Sequence, residues 1–406
     1  MRIAFFSETF LPQTNGIVTR LCHTLSELKA RYADRVLLVA PEMPGLPTHY
    51  DGISVLGVPS VDLPFYRGFR FGLPWLHTRA GAALEQFAPE IIHAVNPASG
   101  IGLLALHYAA RYRVPLVASF NTDLPGYVRH YGLSVLEEPL WQYLRWIHSQ
   151  AALNLCPSRP VQERLNARGI HNVALWRSGV DTALFHPQHF SCGWREKLTN
   201  GDPDVTIILS VGRLAAEKGL DKLISTLPQL AGCHLAIVGD GPAAEQLRQQ
   251  ANGLPITFLG TLQGEDLATA YASADIFAQP STTETFGFVT LEAMASGLPV
   301  VAARRGGSLD LVLEGETGLL FEPDQPQALE RAVRYLAEHR RERKQMGNAA
   351  RLYIEGSEWS WRTATAELHR SYEQVLAKAK TGSSDEALPP LQHDADSQKH
   401  SLPFAR

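Results

Sequence analysis

The chain of 406 residues lacks the excess of positive charge that marks most nucleic-acid-binding proteins. It carries 37 lysine and arginine residues against 41 aspartate and glutamate residues, and its formal net charge is −4. Such a balance gives no positive field on the scale that binding to a phosphate backbone requires. We therefore expect no nucleic acid partner. The composition otherwise fits an ordinary globular protein, with 45% hydrophobic and 19% charged residues.

Cysteine is scarce, and the four cysteines lie far apart in the sequence with no metal-ligand spacing. The chain is also much larger than a typical disulfide-rich scaffold. We interpret all four as reduced, mostly structural thiols. They are Cys22, Cys156, Cys192 and Cys233.

A long apolar run is also missing from the start of the chain. Residues 1–6 are apolar, but the run ends at Ser7 and Glu8. This run is too short for the apolar core of a signal peptide or for a membrane span. We therefore expect a cytoplasmic protein, whose contact with a membrane would be peripheral and at the cytosolic face.

Short apolar runs that alternate with longer helical patterns are present instead, in two series. Such runs indicate buried parallel strands, and their alternation with helices predicts α/β layers. The first series is Ile3–Phe6, Val36–Ala40, Ile91–Val95, Leu116–Phe120 and Leu153–Cys156. The second is Thr206–Val211, His234–Val238, Ile256–Leu259, Ile276–Ala278 and Val300–Ala303. The sequence thus predicts two Rossmann-like, doubly wound domains that face a central cleft.

Composition suggests where these domains begin and end. Residues 1–185 form the first domain and residues 205–359 the second, with a polar, proline-containing hinge at 186–204 between them. A helix near 360–378 is expected to pack back on the first domain. The tail 379–406 has too few large apolar residues to offset its ordering entropy, so we predict that it is disordered.

Two carboxylates, Glu284 and Glu292, lie eight residues apart in a segment that reads as a loop followed by a helix. At a helical rise of about 1.5 Å per residue they would lie roughly 12 Å apart, comparable to the ribose-to-hexose span across a diphosphate. Gly287 lies between them at the expected helix N-terminus, where backbone N–H groups favour a phosphate. The alternative is that Glu284 caps the helix and Glu292 is a solvated carboxylate.

Further candidates follow strands at the expected cleft. Arg213 and Lys218 could act as fixed cations for a phosphate leaving group, although such a pair is more often surface charge. Gly239 and Asp240 form a turn that could pass backbone under a nucleobase, and such turns are common in α/β proteins. Gly16 opens the first helix, where its amides could meet the same phosphates; a simple turn glycine is the alternative.

An aromatic and basic loop in the first domain is the candidate for acceptor and membrane contact. Its mixture of aromatic and arginine side chains fits a membrane-surface segment, but a core-packing loop has the same composition. The residues are Phe65, Tyr66, Arg67, Phe69 and Arg70. A second candidate is residues 141–148, whose apolar positions we expect to pack into the core rather than into lipid.

Together these motifs resemble those of glycosyltransferase family 4, whose members have the GT-B fold, and the match runs from residue 1 to about residue 378. The glutamate pair, with its Gly-Arg-x4-Lys partner motif, is the most specific part of the resemblance. It implies that Glu284 holds the transferred sugar of a nucleotide-sugar donor and that Glu292 holds the ribose. It also implies that the diphosphate contacts Arg213, Lys218 and Gly16.

The resemblance places Asn121, Leu262 and Phe286 in the donor site as well. The family usually has histidine at the position of Asn121. Asparagine can form hydrogen bonds but cannot titrate near neutral pH. Donor specificity could therefore differ from that of close relatives.

Several stretches are more specifically similar to the UDP-sulfoquinovose:diacylglycerol sulfoquinovosyltransferases of photosynthetic organisms. They are residues 96–97, 175–182, 260–267 and 272–275. This similarity implies a UDP-sugar donor, a diacylglycerol acceptor at a membrane surface and a role in sulfolipid synthesis. Other readings stay open: a mannosyl- or glucosyltransferase of the same family, a UDP-sugar epimerase of similar fold, or a non-catalytic nucleotide-sugar sensor.

Family membership would also imply retention of the anomeric configuration. No pair of carboxylates in the sequence can be placed as the acid and nucleophile of a glycosidase-like reaction, so we favour front-face attack on the donor. The departing phosphate oxygen would take the acceptor's proton, while Arg213 and Lys218 stabilise the developing charge. On this hypothesis no metal or other cofactor is needed.

Overall fold

The computed structural model describes residues 1–62, 70–73, 78–130, 132–356 and 359–381. Within these ranges the chain forms two α/β halves, each built on its own sheet. The prediction of two Rossmann-like domains is confirmed by this architecture. Residues 382–406, which make up most of the predicted tail, lie outside the described residues.

The described part of the first half contains ten strands. They are β1 (Arg2–Ser7), β2 (Arg35–Pro41), β3 (His49–Tyr50), β4 (Ile53–Val58), β5 (Ser60–Asp62), β6 (Arg70–Gly72), β7 (Ile91–Val95), β8 (Leu116–Ser119), β9 (Leu153–Cys156) and β10 (Val173–Leu175). The main sheet has the order β10-β9-β8-β7-β1-β2-β4-β3, while β5 and β6 form a separate pair. All neighbours in the main sheet are parallel except β3 and β4.

Helices cover the first sheet, so its central strands are apolar along their length. The helices are α1 (Gly16–Tyr32), α2 (Thr78–Phe87), α3 (Gly100–Tyr112), α4 (Leu124–His130), α5 (Glu137–Ser149) and α6 (Arg159–Ala167). Helix α1 begins where Asn15 Oδ1 accepts hydrogen bonds from the amides of Ile17 and Val18, both at 3.0 Å. Such a cap satisfies donors that lack a partner within the helix.

The second half forms a parallel sheet in the order β13-β12-β11-β14-β15-β16. Its strands are β11 (Thr206–Val211), β12 (Cys233–Val238), β13 (Ile256–Gly260), β14 (Ile276–Gln279), β15 (Val300–Ala303) and β16 (Gly318–Phe321). Its helices are α7 (Cys192–Thr199), α8 (Leu220–Thr226), α9 (Ala244–Gln250), α10 (Gly264–Ala272), α11 (Phe288–Ala295), α12 (Ser308–Leu311), α13 (Ala328–Glu338) and α14 (Arg340–Glu355). The carboxyl ends of β11 and β14 therefore lie side by side, which positions the segments that follow them.

The stretch proposed as a hinge is packed onto the second half. Within it, Leu198 of α7 is buried in the core of that half, and Arg195 Nη1 lies 3.0 Å from Asp275 Oδ2. The chain crosses between the halves earlier, at Gly179 and Val180. There the amide of Val180 donates to the carbonyl of Trp359 at 3.0 Å, beside the returning chain.

The last described helix, α15 (Trp361–Thr381), packs against the first half. Its residues Leu368, Tyr372 and Val375 are buried in the core that contains β1. The Tyr372 hydroxyl and His93 Nδ1 share a hydrogen bond of 2.6 Å across that core. Burial of side chains of this size stabilises a fold by about 2 kcal/mol each. Residues 379–381, assigned to the tail from sequence, continue this helix.

Candidate active site

The N-termini of α1 and α11 meet where the two halves face each other. A Cβ atom on Gly16 would lie 2.7 Å from Phe288 Cδ2, so a larger residue would require the Phe288 ring or one of the halves to shift. Gly287 caps α11 with a φ of 106°, a conformation that side-chain-bearing residues rarely adopt. The structure thus brings together the two glycines that the sequence predicts at the phosphates.

Lys218 and Glu284 form an ion pair at the centre of the second half's face. The Lys218 Nζ donates to Glu284 Oε2 at 2.8 Å, and Gln279 Nε2 donates to the same oxygen at 3.0 Å. Thr290 holds Gln279 in turn, with its hydroxyl donating to Gln279 Oε1 at 2.5 Å. Burial tends to lower the pKa of Lys218, but the Glu284 carboxylate outweighs it and the pKa is raised. Lys218 is therefore a fixed cation.

Arg213 pairs with Glu217, whose side chain is fully buried. The backbone carbonyl of Glu217 accepts a hydrogen bond from the Ser281 hydroxyl at 3.2 Å. This bond connects the Arg213–Lys218 turn to the start of the loop 281–287 between β14 and α11, which we call the donor loop. Arg213, Lys218 and Gln279 line one small pocket at the carboxyl ends of β11 and β14. Both predicted cations thus lie at the cleft, although each already has a carboxylate partner.

Glu292 lies in the second turn of α11 and is largely enclosed. The Tyr271 hydroxyl donates to its Oε2 at 2.9 Å. Burial raises the pKa of Glu292 to about 7, and this hydrogen bond only partly offsets the rise. The alternative of a solvated helical carboxylate does not fit such surroundings. Helix α11 has no side-chain N-cap, so the alternative of Glu284 as a cap is also wrong.

Gly239 and Asp240 lie in the turn that follows β12, where backbone contacts explain the glycine. A Cβ on Gly239 would lie 1.9 Å from the carbonyl oxygen of Gly212, so the turns after β11 and β12 cross in direct contact. Asp240 is exposed, and its Oδ1 accepts from the Gly241 amide at 2.8 Å. Leu262 packs partly buried against the core of the second half. Contact of these residues with a nucleobase stays a prediction.

Phe286 is only 3% exposed and packs between aromatic neighbours. Its ring centroid lies 5.2 Å from that of Phe288 and 5.9 Å from that of Trp359. Two glycines that the sequence analysis did not select, Gly306 and Gly307, pack against the backbone of the donor loop at Glu284. The Gly307 amide donates to the carbonyl of Glu284 at 2.9 Å, and a Cβ on Gly306 would lie 2.1 Å from that oxygen.

Asn121 lies at the seam between the halves. Its Oδ1 accepts from Arg20 Nη1 at 2.6 Å, and its Nδ2 donates to Ser119 Oγ at 3.0 Å. Its backbone carbonyl accepts from the Thr285 hydroxyl at 2.8 Å, next to Glu284. The side chain is therefore engaged by the first half, while the backbone holds the donor loop. Contact of Asn121 with a sugar stays a prediction.

Two more hydrogen bonds connect the second half to the first half. The Ser158 hydroxyl donates to the carbonyl of Thr285 at 2.7 Å, and the Arg159 amide donates to Asp310 Oδ2 at 2.7 Å. Tyr127 of α4, which the sequence analysis did not select, lies close enough to Lys218 and Glu284 for their charges to affect its pKa. Its pKa is raised to about 12, first by burial. Tyr127 is therefore a neutral hydroxyl at the cleft.

The predicted acceptor loop is described only at its edge, because Phe65, Tyr66, Arg67 and Phe69 lie outside the described residues. Arg70 begins β6, where its Nε lies 3.5 Å from Asp62 Oδ1 and its Nη2 donates to the Ser60 carbonyl at 3.3 Å. This arginine is thus engaged within the β5–β6 pair. Its role in acceptor binding stays a prediction.

The second candidate for membrane contact, residues 141–148, has its main apolar side chains inside the protein. Trp141, Leu144 and Ile147 are each at most 2% exposed. The core-packing interpretation is confirmed for these three positions, whereas Trp146 in the same helix is 51% exposed. In the described ranges, no helix is long and apolar enough to cross a membrane. The same ranges contain no cluster of three or more His, Cys, Asp or Glu side chains able to hold a metal ion.

The fold and this site define the class of protein: the chain belongs to glycosyltransferase family 4 and has the GT-B fold. Residues 14–184 match the model described as Glycosyltransferase Family 4, and residues 195–353 match that described as Glycosyl transferases group 1. The predicted family is confirmed.

Two curated relatives and one solved structure show what the chain is similar to. It is 38% identical to the sulfoquinovosyl transferase of Arabidopsis thaliana, over 90% of this chain and 72% of that protein. It is 37% identical to a GDP-mannose-dependent alpha-mannosyltransferase of Mycolicibacterium smegmatis, over 93% of this chain and 98% of that protein. Its fold matches sucrose-phosphate synthase from Thermosynechococcus elongatus, with a TM-score of 0.77 and 22% identity over 92% of this chain and 99% of that one.

Proposed function

We propose that the protein transfers sulfoquinovose from UDP-sulfoquinovose to the hydroxyl group of diacylglycerol at a membrane surface. The observation that carries the donor part is the Lys218–Glu284 pair beside the N-termini of α1 and α11. Fixed cations and helix N-termini favour a diphosphate, and an oriented carboxylate can accept hydrogen bonds from sugar hydroxyls. Similarity to the sulfoquinovosyl transferase supports this choice of sugar, and the choice of diacylglycerol as acceptor follows the resemblance described in the sequence analysis.

Four residues of the second half have a proposed role in binding the donor. Glu284 holds the hydroxyls of the transferred hexose, and Glu292 holds those of the ribose. Arg213 and Lys218 neutralise the diphosphate. A donor that engages Glu284 must share that carboxylate with Lys218, which therefore contacts both the sugar's anchor and the leaving group. This double contact makes Lys218 the most sensitive position of the site.

The proposed reaction proceeds with retention and by front-face attack. The acceptor oxygen forms a bond to the anomeric carbon on the face from which the diphosphate leaves. The bond from that carbon to the phosphate oxygen breaks, and the freed oxygen takes the acceptor's proton. Lys218 and Arg213 stabilise the charge that develops on this oxygen. No metal is required in this proposal, so activity is expected to persist in excess chelator.

The test is mass spectrometry of the product formed from diacylglycerol vesicles with a panel of UDP- and GDP-sugars. We expect a sulfoquinovosyl lipid with the α configuration, formed equally well in the presence of a chelator. A different sugar in the product would refute the donor assignment. UDP release that does not depend on diacylglycerol would point instead to a hydrolase, and an epimerised UDP-sugar formed without diacylglycerol would point to an epimerase. Loss of activity in chelator would refute the metal-independent mechanism.

A second candidate is transfer of mannose from GDP-mannose. The observation that favours it is the mannosyltransferase of Mycolicibacterium smegmatis, which aligns over 98% of its length at 37% identity. The donor-site residues named above are compatible with either nucleotide. The same donor panel separates the two candidates, because GDP-mannose would then give the dominant product.

A further inference from the structure

Arg20, in the second turn of α1, is a buried cation without a carboxylate partner. It is only 3% exposed. Its Nε donates to the Ser178 hydroxyl at 2.7 Å, and its Nη1 donates to Asn121 Oδ1 at 2.6 Å. Both partners are neutral, and no carboxylate of the described chain lies within ion-pair distance. Buried arginines elsewhere differ: Arg343, for example, has Nη2 3.8 Å from Asp275 Oδ1.

The surroundings of Arg20 keep its charge desolvated. The guanidinium carbon lies 4.5 Å from the ring centroid of Trp176, 5.8 Å from that of Phe286 and 5.7 Å from that of Phe288. Burial lowers the pKa of Arg20 to about 9, so the side chain is still a cation at neutral pH. The nearby Cys156 thiol offers no counter-charge, because burial raises its pKa to about 12.

A desolvated charge acts strongly and at some distance, because little water screens it. Buried charges are normally paired, so an unpaired one indicates that its counter-charge comes from a ligand. The diphosphate already has two cations in the proposed site, Arg213 and Lys218. Arg20 instead adjoins Asn121, whose carbonyl holds Thr285, the residue that follows Glu284. This chain of contacts leads to the transferred sugar.

We propose that Arg20 determines donor specificity, because its unpaired charge at Asn121 favours a hexose with an anionic substituent, such as a sulfonate, over a neutral hexose. The inference rests on the proposed function, in which Glu284 holds the transferred hexose. It also gives a physical reason for asparagine at position 121. The Asn121 amide oxygen accepts from the guanidinium, whereas an imidazole that became protonated there would add a second positive charge.

The experiment compares kcat/KM for UDP-sulfoquinovose and UDP-glucose with diacylglycerol vesicles. The wild-type protein is expected to prefer the sulfonated donor. Arg20→Met is expected to reduce the ratio of the two values by about tenfold or more, which corresponds to about 1.4 kcal/mol. Arg20→Lys, which retains the charge, should keep the ratio within about threefold of wild type. Arg343→Met is the control, since it removes a buried guanidinium away from the donor loop without changing the ratio.

Asn121→Asp provides an independent variant if Arg20→Met fails to fold. A carboxylate at this position would neutralise Arg20 in place and is expected to reduce the ratio to a similar extent. An equal loss for both donors, or weaker binding of UDP itself, would overturn the inference and assign Arg20 to the diphosphate. A wild-type preference for UDP-sulfoquinovose that survives both substitutions would overturn the inference but leave the proposed function standing. A wild type without that preference would overturn both.

Discussion

The two halves of the molecule handle charge differently. In the second half, both cations of the site are paired with carboxylates of that half: Lys218 with Glu284, and Arg213 with Glu217. In the first half, the described contacts with the second half include Gly16, the Asn121 carbonyl and the Ser158 hydroxyl, and the buried cation beside Asn121, Arg20, has no carboxylate partner. Under the proposed function, the second half supplies the reacting charges at a sheet edge, whereas the first half positions the donor loop and, by the inference above, biases the choice of sugar.

The largest effect is expected from Lys218→Met. Loss of the fixed cation removes stabilisation of the leaving group and leaves Glu284 with Gln279 as its remaining hydrogen-bond donor among the described contacts. We expect kcat to fall by about 100- to 1,000-fold in a protein that remains folded. Steady-state UDP release measures it. Lys222→Met, at an exposed position of α8, is the matched control and should retain wild-type activity. A folded Lys218→Met protein with more than about a tenth of wild-type kcat would break the assignment.

Gly16→Ala tests the contribution of the first half. The added methyl would lie 2.7 Å from Phe288 Cδ2 and must displace either that ring or one half relative to the other. Misplacement of about 1 Å is enough to lower kcat/KM by about 10- to 100-fold. Gly193→Ala in α7 is the control, because its nearest neighbour, Ser191 Oγ, lies 3.8 Å away. Trimming the ring with Phe288→Leu should restore part of the activity of Gly16→Ala. Wild-type kinetics for Gly16→Ala would show that the halves need not approach this closely.

The pH dependence of donor use should report Glu292. Burial raises its pKa to about 7, so the carboxyl is protonated below that pH and is an anion above it. Ribose hydroxyls donate to the anion, hence donor affinity is present at high pH and lost as the pH falls. We expect kcat/KM for the donor to drop about tenfold between about pH 8 and pH 6. Tyr271→Phe removes a hydrogen bond that lowers the pKa, so the drop should begin at higher pH. An unchanged profile in Glu292→Gln would assign the titration elsewhere.

The smallest effect is expected from Thr285→Val, which removes the hydrogen bond to the Asn121 carbonyl while keeping the shape of the side chain. A single hydrogen bond contributes about 1 kcal/mol, or roughly fivefold in kcat/KM. Thr269→Val, which removes a hydrogen bond within α10, is the control and should leave kinetics unchanged. A loss above about 100-fold would mean that this contact controls the whole approach of the halves.

Much of the fold follows from the sequence because buried parallel strands are continuous apolar runs. All ten predicted runs coincide with strands, and their two series correspond to the two sheets. Six of the described strands were not predicted. β3, β5, β6 and β10 have only two or three residues, and β4 and β16 each contain a glycine. The C-terminal limit of α15 was set too early, since the polar residues 379–381 still complete a helical turn.

The sequence predicted which residues belong to the site, but it did not predict which of them pair with each other. Turn glycines and charged residues after strands predicted Gly16, Lys218 and Glu284, because strand ends share one edge of a sheet. The direct pairing of Lys218 with Glu284 depends on side-chain geometry that spacing does not encode. Arg20 could not be found, since arginine in a helical pattern normally faces water. Gly306 and Gly307 did carry a signal, a glycine pair that follows a predicted strand after only two residues.

Helix α15 also bears on how the chain acquires its structure during synthesis. Tyr372 and its neighbours complete the core around β1 and His93, yet they are made after the whole second half. The first half therefore leaves the ribosome with an uncovered apolar face, and the second half can form its own core before that face is closed. The first half is thus synthesised first, but its core is completed last. Truncation before residue 361 should therefore make the first half, rather than the second, prone to aggregation.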